Sequence, residues 1–266
     1  MTTWQSYFIT ESPIFNPLRS ALDPMWQTKA TWPTIPEYNQ WIQAQPSPIA
    51  NYVGQPIQFV EQLSKLDTFE SGYEPSIYLR GEVSTRPESW HDFFNMLVWL
   101  TFPKLKAMLN RLQFVQLKQR YPHDPIRTPV ENKLTHLDEN GVVVVSANVE
   151  LIELLREQKW EMLFWQRREA VQKDMRFYVV GHALYEKALQ PYIGMTGSAI
   201  ILQQESATQL ATVDSLASQF VERALTETTK LAPLPILGVP GWWPANDKVS
   251  FYRNENYFRP KGKRAL

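Results

Sequence analysis

Hydrophobic positions change their period several times along the chain, and each change marks an element. In TFPKLKAMLNRLQFVQLKQRYP, Leu105, Met108, Leu109, Leu112 and Val115 recur at helical spacing, predicting a helix that stops at Pro122. The stretch 88–100 is predicted as a second helix, opened by STRPES. VELIELLREQ forms another with Asn148 as its N-cap, and WEMLFWQRREAVQK continues or follows it. ATVDSLASQFVERALTE is amphipathic, and FYVVGHALYEKALQPY is predicted helical through Ala188, ending before Pro191. SAIILQQE has the composition of a short strand. LTHLDENGVVVVSAN is read as a β-hairpin, because Asn140-Gly141 is a tight-turn dipeptide followed by four valines. PIQFVEQL and SIYLRGEV carry the β-branched and aromatic residues of strand or extended chain.

The two ends differ from this middle. Residues 1–56 are rich in proline and tryptophan, with short helices predicted over 13–26 and 36–45. Thr34 caps the second of these and Pro36 sits in its first turn. From Pro46 to Pro56 an irregular wrap is expected. The last thirty residues alternate prolines, glycines and aromatic rings, and are expected as ordered loop rather than regular elements. The fold class that follows is α+β: a helix-dominated single domain with a small antiparallel sheet or hairpin and long proline- and aromatic-rich loops. Residues 1–56 are expected to pack as an N-terminal wrap on a main domain of 57–266.

Composition narrows the function classes. Of 266 residues, 44% are hydrophobic and 20% charged, enough to bury a sizeable core. Basic and acidic residues number 27 each, so no basic field exists to hold a phosphate backbone, and nucleic acid is not an expected partner. The basic cluster RPKGKRAL is expected to be a solvated tail. Without cysteine there are no disulfides, thiolate nucleophiles, iron–sulfur clusters or thiolate zinc sites. The N-terminal residues lack the basic start and apolar run of a secretory signal, and no apolar run approaches the ~20 residues that span a bilayer. A soluble cytoplasmic protein with no membrane partner is therefore expected; the oligomeric state stays open.

Candidate chemistry concentrates in two apolar stretches. In SWHDFFNMLVWL, His91 and Asn95 lie four apart and share a helix face, with Asp92 beside them. VGHALYEKAL repeats the arrangement with His182 and Glu186. If the two faces meet, His91, Asp92, His182 and Glu186 become candidate catalytic acid–base groups, and His91, His182 and Glu186 candidate ligands of a divalent metal. The structural alternative is that each histidine merely satisfies a carboxylate one turn away. Asp138 and Glu139, at the expected hairpin tip, are candidates for contacting substrate together with Asn95, or else ordinary turn residues; Glu131 and Asn132 precede them. Trp242 and Trp243, among prolines, offer a stacking platform for a ligand or a lid over the core. His123-Asp124 invites comparison with metal-dependent phosphohydrolases, but flanking prolines place the pair in a loop. His136 is expected on a hairpin strand. No G-x-S-x-G elbow and no glycine-rich phosphate loop occurs.

Six phrases in order, SWHDFFNMLVWLTFPKLKAMLN, ENKLTHLDENGVVVV, WEMLFW, GHALYEKAL-QPY, PLPILGVPGWW and FYRNENYFRP, resemble the bacterial domain-of-unknown-function family 3025 over roughly residues 15–260. That resemblance implies an intracellular bacterial protein and carries no activity with it. Two functions stay in view: a metal-assisted hydrolase or lyase acting on a small molecule through the His/Asp/Glu cluster, or a non-catalytic binding or scaffold protein in which these pairs are structural.

Overall fold

The computed structural model describes residues 3–62, 68–123, 126–205 and 209–262. Two sheets are surrounded by helices. The larger has four strands in the order β4-β3-β5-β6, formed by β3 (Gly141–Ser146), β4 (Met175–Val179), β5 (Thr196–Gln203) and β6 (Ala232–Pro235). β3 pairs antiparallel with β4 and parallel with β5, and β6 runs antiparallel to β5. A separate parallel pair joins β1 (Gln58–Glu61) to β2 (Glu82–Thr85). The helices in chain order are α1 (Phe8–Glu11), α2 (Ile35–Gln43), α3 (Tyr73–Arg80), α4 (Trp90–Thr101), α5 (Pro103–Arg120), α6 (Pro129–Asn140), α7 (Val149–Arg156), α8 (Arg168–Asp174), α9 (His182–Ala188), α10 (Leu210–Ala224) and α11 (Val249–Tyr252). The architecture is the expected α+β.

Several boundaries follow from local chemistry. Thr34 and Glu37 form a reciprocal capping box at the start of α2, and Asn148 accepts from the Leu151 amide at the start of α7. The expected hairpin is not formed. Residues 129–140 are helical, because Thr128 and Glu131 cap each other and Pro129 occupies the first turn, while Leu134 and Leu137 face inward. The four valines are a fully buried central strand, which reads as an uninterrupted apolar run rather than an alternating one. His136 therefore lies exposed on α6, not on a strand. FYVV, expected as helix, belongs to β4 and the link after it, and SIYLR lies in α3. The 13–26 stretch resolves into two 3-10 turns, Pro13–Leu18 and Pro24–Thr28, divided where prolines restart the chain. The C-terminal stretch 233–260, expected as loop, contains most of β6 and short helices as well; β6 tolerates Pro233 and Pro235 because it is an edge strand. Asp124 and residues 263–266 of the basic tail lie outside the described residues.

The N-terminal segment seals one face of α4. Trp4 stacks on Trp90 at 5.1 Å, Phe8 meets Phe93 and Phe94 edge-on, and Phe15 stacks on both Phe94 and Tyr185 of α9. Phe8, Phe15, Phe93, Phe94 and Tyr185 are fully buried, each contributing about 1.5–3 kcal/mol of apolar burial. A second long-range contact fixes α5: Asp214 of α10 accepts from the Lys104 and Leu105 amides at its first turn. Burial pushes that carboxyl up to about 6, against the pull of the two amides. No described helix is long and apolar enough to cross a membrane.

What places the polar groups is the antiparallel pairing of β3 with β4. It brings the end of α6, which runs directly into β3, beside the link between β4 and α9. The two junctions meet closely through backbone. The amides of Val180 and Gly181 both donate to the Gly141 carbonyl, at 2.9 and 3.0 Å. A Cβ on Gly181 would lie 2.3 Å from the Gly141 nitrogen and 2.5 Å from that of Asn140; one on Gly141 would lie 2.2 Å from the Leu137 carbonyl oxygen. Neither position has room for a side chain. Gly181→Ala should therefore push the junctions apart and cost about 3–5 kcal/mol, seen as a fall of roughly 10 °C in Tm. An unchanged midpoint would mean that the junctions do not press on each other.

Candidate functional site

His182 opens α9, so the glycine junction sets it against the last turn of α6, which carries Asp138 and Glu139. α4 packs on α9 through Phe94 and Tyr185, stacked at 5.7 Å, and this delivers His91 to the same place. Nε2 of His91 and Nε2 of His182 are 3.0 Å apart, with the rings nearly perpendicular at 80°. Behind His91, Nδ1 meets Glu186 Oε2 at 3.1 Å. Behind His182, Nδ1 looks toward Asp138, whose carboxylate Oδ2 is 3.8 Å away, and no ordinary hydrogen bond closes there. One carboxylate oxygen of Glu139 completes a cluster with the two histidines in which the three ligand atoms all lie within 4.8 Å of one another.

Electrostatics sort these groups. Burial pushes His182 down to about 3, overcoming the opposing pull of Asp138, so its imidazole is neutral in the ordinary pH range and free to act as a ligand. Burial alone would raise the carboxyl of Asp138, but Lys106, followed by His182, holds it below the usual carboxylate range. Lys106 is itself only 4% exposed; its Nζ donates to Asp138 Oδ1 at 2.5 Å and lies 5.5 Å from the centre of the Trp99 ring.

The histidines open onto a cavity of ≈ 340 Å³ in which every described lining residue carries a polar or charged side chain. Tyr73 and Glu74, at the start of α3, form part of its wall. Asn95 donates to the Tyr73 hydroxyl at 2.9 Å, and its own Oδ1 has no partner among the described residues. Tyr73 as a residue is 39% exposed, yet its hydroxyl has its pKa raised well above the usual value, first by burial of that end and then by Asp138 and Glu74. Glu74 Oε2 accepts from Asn110 at 2.7 Å; burial, and next the nearby Asp138, push its carboxyl up to about 7.

The structure thus brings together His91, His182, Asn95, Asp138 and Glu139 from the sequence candidates. Glu186 is placed behind His91 rather than beside the facing nitrogens, and Glu139 takes the position nearest them. Asp92 lines the cavity but is gripped by Arg86, whose Nε and Nη2 reach its two oxygens at 2.8 and 3.2 Å. Asp138 and Glu139 reach the site from a helix, not a hairpin tip. Glu131 is bound by Arg120 at 3.0 Å. Trp242 packs edge-on to Phe177 and lines a different cavity beside β4, while Trp243 lines a third near Pro191. Neither tryptophan is on the histidine cavity. Tyr73, Glu74 and Lys106 were not legible as site residues: α3 resembles extended chain in sequence, and Lys106 sits among ordinary helix-surface lysines in composition.

The chain belongs to a family described as protein of unknown function (DUF3025), whose model matches residues 57–262 and so spans the whole cavity. No curated protein and no solved structure matches the chain.

Lys106→Met should cost about 3–5 kcal/mol by stranding the buried Asp138 carboxylate, and Lys106→Met with Asp138→Leu should recover more than half of that loss in chemical denaturation; equal losses would show that the ion pair is not what Lys106 supplies. Glu74 makes a pH-dependent contribution. Its carboxyl is raised from an ordinary 4.5 to about 7, so the stability it allows is full below pH 4.5 and is lost as pH rises through 7. Glu74→Gln should therefore match the parent at pH 3.5 and exceed it at pH 8 by at most about 3 kcal/mol.

Proposed function

We propose that this member of a family of unknown function is a metal-assisted hydrolase or lyase acting on a small polar molecule. One observation carries the reading: the two Nε2 atoms face each other at 3.0 Å while both Nδ1 atoms face carboxylate-bearing residues. A ring whose Nδ1–H points to a carboxylate has its lone pair on Nε2. With His91 held through Nδ1 by Glu186, its Nε2 lone pair faces His182, which either donates its own Nε2–H across the 3.0 Å gap or, protonated on Nδ1 toward Asp138, turns a second lone pair to the same place, the form that suits a shared cation. Nitrogens each about 2.1 Å from one ion would be about 3.0 Å apart at the right angle of an octahedral site and about 3.4 Å apart at the tetrahedral angle zinc prefers, so the rings need separate only slightly to hold either.

His91, His182 and Glu139 are the candidate ligands, two imidazoles and one carboxylate, which suits zinc and the first-row divalent metals. Glu186 and Asp138 are positioning residues that orient the rings from behind. A divalent ion here would polarise a carbonyl or phosphoryl oxygen and acidify a water molecule. The chain's own groups do the rest. Asn95 fixes the Tyr73 hydroxyl, whose proton stays available to a substrate oxygen. Glu74, poised near neutrality, is suited to giving or taking a proton. The polar wall favours a hydrophilic substrate over the apolar ligands that most cavities hold.

The test is metal content of protein purified without a histidine tag. Near-stoichiometric divalent metal is expected, absent in His91→Ala/His182→Ala, with Glu186→Gln still binding but about 10–100-fold more weakly. If the parent retains no metal after dialysis against zinc, manganese and iron(II), and the double variant simply loses stability, the histidines are a structural pair and the binding-protein reading takes over.

A further inference from the structure

The charges around the cavity mostly cancel in fixed pairs. Asp92 is held by Arg86 through two side-chain bonds, and its Oδ2 also accepts from the Arg86 amide at 2.9 Å. Asp138 is held by Lys106. Glu139 stands with the histidine nitrogens. Glu74 sits in surroundings that favour its protonated form. That leaves Arg127. It lines the cavity at its solvent-facing rim, its Nη1 donates to the neutral Thr135 hydroxyl at 3.2 Å, and it has no carboxylate partner within ion-pair distance among the described residues.

With a divalent ion bound by His91, His182 and Glu139, a reading on which this step rests, the interior carries the ion's two positive charges and that of Arg127. Against them stand the single charges of Glu139 and of Glu186 behind His91, and a Glu74 whose surroundings favour its protonated form. The excess is positive, though small, in a cleft lined by polar side chains, and a positively charged cleft concentrates anions.

We infer that the substrate carries an anionic group, a carboxylate or a phosphate, which Arg127 receives at the rim while the reacting part of the molecule lies against the His91–His182 pair. A guanidinium suits either anion, since its forked N–H groups match two oxygens of both. The Tyr73 hydroxyl, already accepting from Asn95, has its own proton free to bond a third oxygen. The mostly neutral polar wall between them, with Gln113 and Thr135, fits a short hydroxylated or amide-bearing body.

The experiment uses untagged full-length protein loaded with cobalt(II), titrated separately with inorganic phosphate, succinate and glucose. Binding is followed by calorimetry and by the visible spectrum of the metal, and metal content is measured for every sample. Phosphate or succinate should bind the parent at least tenfold more tightly than Arg127→Gln, with Arg127→Lys between them, equal metal in all three and no binding of glucose. Which anion binds more tightly identifies the group. Equal anion affinity in the parent and Arg127→Gln, a preference for glucose, or no anion binding by metal-loaded protein would overturn the inference. Protein that holds no cobalt at all would sink the metal reading instead, and the two failures are told apart by the metal assay.

Discussion

The corner that holds the site depends on a close backbone contact between two glycines. Where α6 runs into β3 and β4 runs out toward α9, the chain passes itself within 3 Å, and only glycine at 141 and 181 permits it. Antiparallel pairing of β3 and β4 guarantees that these two junctions lie at the same end of the sheet. The last turn of α6 and the first residue of α9 consequently share a corner, and α4 closes it from a third side. Residues at 91, 138–139 and 182 meet because three helix ends or faces are driven together by strand register and aromatic packing, not because they attract one another. The buried Lys106–Asp138 pair and the depressed His182 are tolerated because that packing leaves them no alternative.

How much of this could be read in advance depended on range. The pairs His91/Asn95 and His182/Glu186 were visible because a helix has a fixed period, and the caps at Thr34 and Asn148 because they are local. That the two histidines would touch was only a conditional, since 91 residues separate them and nothing local encodes the crossing. The hairpin reading failed through a conflict between two local signals. Asn140-Gly141 resembles a tight turn, but Thr128-Pro129-x-Glu131 is a helix start, and the helix prevailed because Leu134 and Leu137 bury on its inner face. Gly141 was needed for its missing side chain, not for a turn: its φ is −68°, which any residue adopts. Tyr73 and Glu74 are not legible as a helix start because the β-branched and aromatic residues of SIYLRGEV, just after them, suggest a strand, whereas Gly81 in a left-handed conformation ends a helix there.

Polar residues on this cavity are held by others one step further out. Asn110 restrains Glu74, Asn95 restrains Tyr73, Arg86 restrains Asp92, and Glu186 restrains His91. Each restraint removes rotamer freedom before any ligand arrives, the condition under which polar groups bind or react with little reorganisation. Such ordering is hard to explain in a wall that serves only to fill space, where apolar side chains of equal volume would pack at lower cost.

The family match begins at residue 57, yet the rings that cover the rear of α4 come from Trp4, Phe8, Phe15 and Trp26. In this chain the central helix of the matched stretch is thus roofed by residues that precede it. Any relative that shares α4 but differs upstream must shelter Trp90, Phe93 and Phe94 with different material. The border of the family match and the border of the packed core around α4 therefore fall at different residues of this chain.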